Sequence, residues 1–215
     1  MDAIIENFPT FVGGFLMTLR LLVVSGIGAL VIGTVVAALR ISPVPALRGF
    51  ATVYTEVLRN TPLTLVLFFC AIVLPQIGVR LDFVVAATVG LTLYTSPFVA
   101  EAVRSGVNGV PVGQAEAARA IGLGFGQTLS VVVLPQAIRM VVPPLINVLI
   151  ALTKNTSVAA GFAVIELVAA SRQIIQFNGN ATVPVLVAVA VFYLVITVPL
   201  GQVANRLERK VMVLR

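Results

Sequence analysis

The spacing of its charges constrains this chain more than any other feature. Leu21–Leu39 runs for 19 residues without an ionisable side chain, Asn60–Val79 for 20 and Phe83–Ala100 for 18. A run of 14, Met140–Thr153, borrows apolar residues from the stretch before Arg139. The run Gln173–Asn205 has 33 residues, but Gln173, Gln176, Asn178, Gly179 and Asn180 read as a wet loop, so its apolar part starts near Val183. A helix needs ~20 apolar residues to cross a bilayer core of ~30 Å. With no water at that depth, its backbone groups must pair within the segment. The expected fold class is therefore all-α: a polytopic membrane protein in one domain over 1–215, with five transmembrane helices at about 12–39, 51–74, 83–105, 127–153 and 183–205. Composition agrees: 59% of residues are apolar, 10% are charged and the mean hydropathy is +1.10. These values exclude a free soluble globule and a disordered chain.

The 14 Lys/Arg against 8 Asp/Glu give a net charge of +6. In a soluble domain that would hint at nucleic acid. On this topology it is an orientation signal. With the N-terminus outside, and leaving aside Arg20, Arg59, Arg139 and Lys154 within or bordering spans, inner segments carry Arg40, Arg48, Arg104, Arg119, Arg206, Arg209, Lys210 and Arg215, and outer segments Arg80 and Arg172. The positive-inside rule therefore predicts a multi-pass protein of the cell membrane, N-terminus outside and C-terminus cytoplasmic, in contact with lipid and with no nucleic-acid partner. Asp2 and Glu6 make the N-terminus acidic, unlike a secretory signal.

The chemistry is narrow. There is no His, which excludes His-based acid–base catalysis and His-ligated metals. The single Cys, Cys70, lies in an apolar run and reads as a small buried hydrophobe. The only lysines, Lys154 and Lys210, are not preceded by Gly, so no phosphate-binding glycine-rich loop is present. No catalytic residue, metal ligand or bound cofactor is expected on this chain.

Between the third and fourth spans, Gly106, Gly109, Pro111 and Gly113 punctuate the chain. Good helix formers follow from Gln114 to Ile121, and then Gly122, Gly124 and Gly126. A short helix on the cytoplasmic side is expected, with Ala115, Ala118 and Ile121 as an apolar face and Glu116 paired to Arg119. Too short to span, it must lie on the membrane or dock into another protein. Its flanking glycines serve as terminators or as hinges.

Glu116-Ala117-Ala118, then Gly122, then Val132, Val133 and Leu134-Pro135, resembles the Glu-Ala-Ala loop of the membrane subunits of ABC importers, with Val132 in place of Ile. Tyr54-Thr-Glu-Val-Leu-Arg-Asn-Thr-Pro-Leu63 is similar to the second-span motif of polar amino acid permeases, with Asn60 in place of Gly. Leu134-Pro-Gln-Ala-Ile-Arg139, Pro144-Leu-Ile-Asn147 and Lys154-Asn-Thr-Ser157 resemble their later motifs. Leu93-Tyr-Thr-Ser96 and Ala151-Leu-Thr-Lys-Asn-Thr156 resemble the glutamate permeases among them. The resemblance covers essentially the whole chain. It implies a type I permease fold importing a polar amino acid, with glutamate favoured. It implies that the 114–125 segment, through Glu116, Ala117, Ala118, Arg119 and Gly122, rests in a groove of a cytoplasmic ATPase subunit that carries ATP and Mg. A second permease chain, identical or paralogous, and an extracytoplasmic binding protein complete the implied assembly. A stand-alone secondary transporter or channel is the alternative; comparing the two halves reveals no repeat of the kind such transporters carry.

Polar residues inside the apolar runs are the pathway candidates: Arg59, Thr61, Thr92, Ser96, Asn147 and Lys154. Each has a competing structural role. Glu56 and Arg59 are spaced for an intrahelical pair. Thr88, Thr92 and Ser96 are spaced to bond back to the preceding turn. Asn147 serves either substrate or a neighbouring helix. Asn147, Ala151 and Lys154 are expected to share a face. Pro62 should kink the second span. Ser25, Ala29, Gly33 and Ala37, four apart, form a small-residue stripe for close packing within the chain or against a partner permease.

Overall fold

The computed structural model describes residues 2–212, all helical or connecting, with no strand among them. Four helices are long and apolar enough to cross a membrane: Phe8–Arg40, Phe83–Asn108, Phe125–Phe162 and Gly179–Arg209. These are the first, third, fourth and last spans. Each covers its expected range and runs past it at one end or both, the fourth continuing from an expected end at Thr153 to Phe162.

The second span is not one helix. Pro45–Asn60 and Leu63–Gln76 meet at 104°. Thr61 and Pro62 at the break are extended, with ψ of 131° and 138°. Proline disfavours helical backbone in the residue before it and brings no N–H of its own, so the expected 51–74 span is broken at the kink that Pro62 predicted. Two side chains at the break bond back to carbonyls of the helix that ends there. Asn60 Nδ2 donates to Glu56 O at 2.7 Å, and Thr61 Oγ1 donates to Val57 O at 2.7 Å.

The first and third spans share the most extensive helix–helix contact in the chain. The small-residue stripe makes it possible: Ser25, Ala29, Gly33 and Ala37 are all buried. Ser25 Oγ donates to Thr88 O at 3.2 Å. A Cβ on Gly33 would lie 2.5 Å from Ser96 O, and one on Gly28 would lie 2.8 Å from Thr92 Cγ2. The stripe is consumed inside the chain. A core of Leu21, Leu63, Leu67, Leu91 and Leu152 then joins the first four spans.

Beyond the fourth span the chain forms a further helix, Leu167–Phe177, where a wet loop was expected. Gln173 and Gln176 lie on its exposed side while Leu167, Ala170 and Ile174 are buried. Polar residues at a helical period marked one face of a helix, not a loop. Glu166 caps it, accepting from Ala169 N at 2.9 Å, and also accepts from Tyr193 Oη of the last span at 3.1 Å. This carboxyl is fully buried.

Two short π-helical turns, Phe69–Val73 and Thr128–Val133, each run into a Leu-Pro-Gln helix start. The sequences correspond: Cys70-Ala-Ile-Val-Leu-Pro-Gln76 and Ser130-Val-Val-Val-Leu-Pro-Gln136. Leu74 N donates to Phe69 O and Leu134 N to Leu129 O, five residues back in each case. The following proline cannot donate, and the ladder slips by one residue ahead of it.

Candidate functional site

The third and fourth spans line a half-open cavity of about 420 Å³ between them. Tyr94, Thr95 and Phe98 form one wall; Asn147, Val148, Ala151, Leu152 and Asn155 form the other. Helical periodicity explains the membership. Asn147, Ala151 and Asn155 recur every four residues, and Tyr94 and Phe98 are likewise four apart. The two rings pack at 5.4 Å between centroids. The lining thus combines an aromatic wall that includes the Tyr94 phenol, two carboxamides and the Thr95 hydroxyl, with no ionisable carboxylate, lysine or arginine. Its size lies within the range of small-molecule sites.

The hydroxyl is the unusual member. Thr55, Thr88, Thr92 and Thr153 all donate to the carbonyl four residues back, at 2.7–2.9 Å. Thr95 Oγ1 is buried and has no partner. A buried polar atom left unpaired costs ~1–3 kcal/mol. The hydroxyl has no accessible surface of its own, so a ligand in the cavity meets Tyr94, Asn147 and Asn155 rather than this atom.

Of the six sequence candidates for a pathway, only Asn147 lines the cavity. Thr61 and Thr92 spend their hydroxyls on their own helices. Ser96 is fully buried and bonds to Tyr54 Oη at 2.6 Å and Leu93 O at 3.1 Å. Lys154 is exposed and off the wall; Asn155 takes the place on the Asn147 face that Lys154 was expected to hold. Asn155 was detectable in the sequence from its spacing of eight to Asn147. Thr95 and Phe98 carried no such signal, because nothing local marks a hydroxyl that lacks a partner.

Arg59 sits just outside the cavity, its guanidinium carbon 5.7 Å from the centroid of the Phe98 ring. It does not pair with Glu56, as its spacing had predicted. Its partner is Glu101, at 3.4 Å between Nη1 and Oε1. Arg40 Nη1 also bonds Glu101 Oε1, and Arg104 donates to Oε2 from Nη2 at 2.7 Å and Nε at 3.1 Å. One carboxylate thus gathers arginines from the first, second and third spans. Charge at depth is more costly than exposed charge, so Arg59 turns to the half-buried Glu101 while Glu56 stays exposed with Asn60.

The loop helix runs Val112–Ala120, starting two residues before the expected 114–125 segment and ending five before it. Gly122 at φ +90° ends it. Leu123 N donates to Ala118 O at 3.1 Å and Gly122 N to Arg119 O at 2.9 Å, the reciprocal bonds of a Schellman cap. The terminator reading of this glycine therefore holds. Gly106 and Gly109 are close-approach positions, where a Cβ would lie 2.2 Å from Val141 Cγ2 and 2.5 Å from Met140 Cε. Gly106 also belongs to the third span, which continues to Asn108. Glu116, Ala117 and Arg119 are exposed while Ala118 is buried. Glu116 and Arg119 form no ion pair: every ion pair among the described residues involves Glu101. Arg119 instead lies over the Phe125 ring at 6.0 Å. Ile121, expected on the apolar face with Ala115 and Ala118, is 81% exposed, just before the αL glycine that ends the helical phase. With Val112 and Phe125 it leaves an apolar rim around the loop helix.

The sequence profile described as "Binding-protein-dependent transport system inner membrane component" matches residues 29–213. The chain belongs to this family. This permease is 42% identical to the glutamate transport system permease protein GluC of Corynebacterium glutamicum, over 95% of each chain. It is 39% identical to the probable glutamine ABC transporter permease protein GlnM of Bacillus subtilis, over 98% of this chain and 97% of that one. Among solved structures it is similar to an amino acid ABC transporter crystallised with histidines, with a TM-score of 0.88 and 28% identity over 96% of each chain. The permease is thus a multi-pass inner-membrane subunit with the all-α importer fold, not itself the enzyme of its assembly.

Proposed function

We propose that this permease is the translocation subunit of an ATP-driven importer for a polar amino acid, with glutamate the favoured substrate. The cavity between the third and fourth spans is the pathway element. The single observation that carries this reading is the pocket in which the carboxamide residues Asn147 and Asn155 stand opposite Tyr94 and Phe98. The two carboxamides offer donors and acceptors to the ammonium and the carboxylates of an amino acid without a fixed charge to trap it. The exposed helix Val112–Ala120, with Glu116, Ala117, Arg119 and the Gly122 cap, docks on a cytoplasmic ATPase subunit that holds ATP and Mg. Buried Ala118 seats that helix on its own chain. The N-terminus lies outside and the C-terminus inside. A second permease chain, identical or paralogous, and an external binding protein complete the importer. The relatedness to GluC supports glutamate.

Reconstitution of the chain with its ATPase and binding protein tests the reading. ATP hydrolysis is expected to rise on addition of glutamate-loaded binding protein. No stimulation by glutamate, glutamine, aspartate or a basic amino acid would overturn it. Replacing Gly122 by Ala forces a side chain into αL backbone, at ~1–2 kcal/mol, with no neighbour within 4 Å to clash. Gly122→Ala and Glu116→Lys should keep the chain assembled but separate ATP hydrolysis from uptake. Wild-type uptake in both would refute the coupling role.

A further inference from the structure

The Glu101 cluster places three guanidiniums around one carboxylate, so two positive charges are left over at the loop-helix end of the first three spans. The three contacts are unequal. Arg40 is the most buried of the arginines, with 14% of its side chain exposed, and bonds Oε1 directly. Arg104 holds Oε2 through two donors. Arg59 makes the longest contact, 3.4 Å, and is the most exposed at 40%. Loose, half-exposed pairs of this kind contribute little net stability. Glu101 keeps two better partners if Arg59 leaves it. Arg59 is also the only member of the cluster tied to the cavity wall, through the face of Phe98. Phe98 and Glu101 are three residues apart on one helix, so a guanidinium resting on the ring reaches the carboxylate on one side and the cavity edge on the other.

We infer that Arg59 is the release residue of the pathway: it exchanges its loose pair with Glu101 for the carboxylate of the amino acid leaving the cavity toward the loop-helix end. Guanidinium suits the task, because its planar fork matches a carboxylate and its flat face stacks on an aromatic ring. Arg40 and Arg104 keep Glu101 neutralised during the exchange, so no bare carboxylate repels the departing anion. The cavity itself, free of fixed charge, admits the amino acid, and Arg59 draws it onward. This inference rests on the cavity being the pathway.

The test uses the complete importer in proteoliposomes, with uptake of labelled glutamate and binding-protein-stimulated ATP hydrolysis measured in parallel. Arg59→Gln should lower the maximal uptake rate about tenfold, the scale of one lost charge-assisted hydrogen bond. Stimulated ATP hydrolysis should stay within about twofold of wild type. Half-saturation by loaded binding protein should not move. Arg59→Lys, which keeps the charge and loses the fork, should fall between the two. Wild-type uptake in Arg59→Gln overturns the inference. So does a parallel fall of uptake and ATP hydrolysis with Arg59→Lys no better than Arg59→Gln, the pattern of a structural brace. If Arg59→Gln does not assemble, Phe98→Leu carries the test: removing the ring that holds Arg59 at the cavity should slow uptake while ATP hydrolysis persists, and unchanged uptake overturns the inference. Asn147→Ala separates this question from the cavity. Full transport by Asn147→Ala sinks the pathway reading, whereas impaired transport there with wild-type behaviour at Arg59 sinks the release role alone.

Discussion

Gly33 offers the cleanest test of how the first and third spans are joined. A Cβ at this position would lie 2.5 Å from Ser96 O and 2.6 Å from Val99 Cβ, against an ordinary contact starting at 3.4 Å. The nearer atom is helix backbone and cannot rotate away, so Gly33→Ala must push the spans apart by about 1 Å. Overpacking of a tight core costs ~1–3 kcal/mol, and backbone contact places this case in the upper half. Alanine returns ~1 kcal/mol of helix propensity, leaving a net loss of ~1–2 kcal/mol. At ~2–4 °C per kcal/mol for a chain of this size, the melting temperature should fall by ~2–8 °C. Gly13 is the control, because it sits in the same helix with nothing within 4 Å of its Cβ. Gly13→Ala should melt no lower than wild type. The assay is built into the molecule: Cys70 is the sole cysteine and is 1% exposed, so a thiol-reactive fluorogenic dye reports unfolding from one site. Melting of Gly33→Ala at or above wild type would refute the close-packing argument. Uptake should fall too, because the displaced span carries Tyr94, Thr95 and Phe98 of the cavity wall.

Two other outcomes follow from buried polar groups. Thr95→Val keeps the shape and removes the unpaired hydroxyl, so the protein should gain ~1 kcal/mol while its apparent affinity for the amino acid stays within about twofold; a less stable variant contradicts this. Burial pushes the Glu166 carboxyl above the usual carboxylate range. The folded state therefore favours the protonated form, and that stabilisation is complete below the unfolded value of ~4.3 and lost as pH rises through the higher folded value. In dye-based melts, wild type should lose stability with rising pH across that window relative to Glu166→Gln, which cannot titrate; parallel pH profiles would rule this out.

The spans, the loop helix and the back-bonded hydroxyls were legible in the sequence because each depends on neighbours within a few residues. Thr88 and Thr92 donate four residues back as their spacing predicted, and Gly122 caps the loop helix as a glycine after a helical run should. What escaped is long-range. The contact of Arg59 with Glu101 is chosen by burial at the meeting of three helices, whereas Glu56 was the nearer partner in the chain. Pro62 announced a break but not its 104° angle, which depends on where Leu63 and Leu67 find their core. The cavity escaped for the same reason. Asn147 belongs to it and Lys154 does not, a distinction set by which face of the fourth span meets the third.

The two π-helical turns have a consequence for chain length. A π turn holds one residue more than the α-turn it replaces, so the helix beyond it keeps the facing it would have had without the extra residue. Deleting one residue within Phe69–Val73 or Thr128–Val133 would therefore relax the turn to ordinary α-helix and leave downstream faces where they are. The same deletion at Leu91 would rotate the rest of the third span by ~100° and carry Thr95, Phe98 and Glu101 off their partners. These two turns are where this fold can shed a residue without rewriting its contacts.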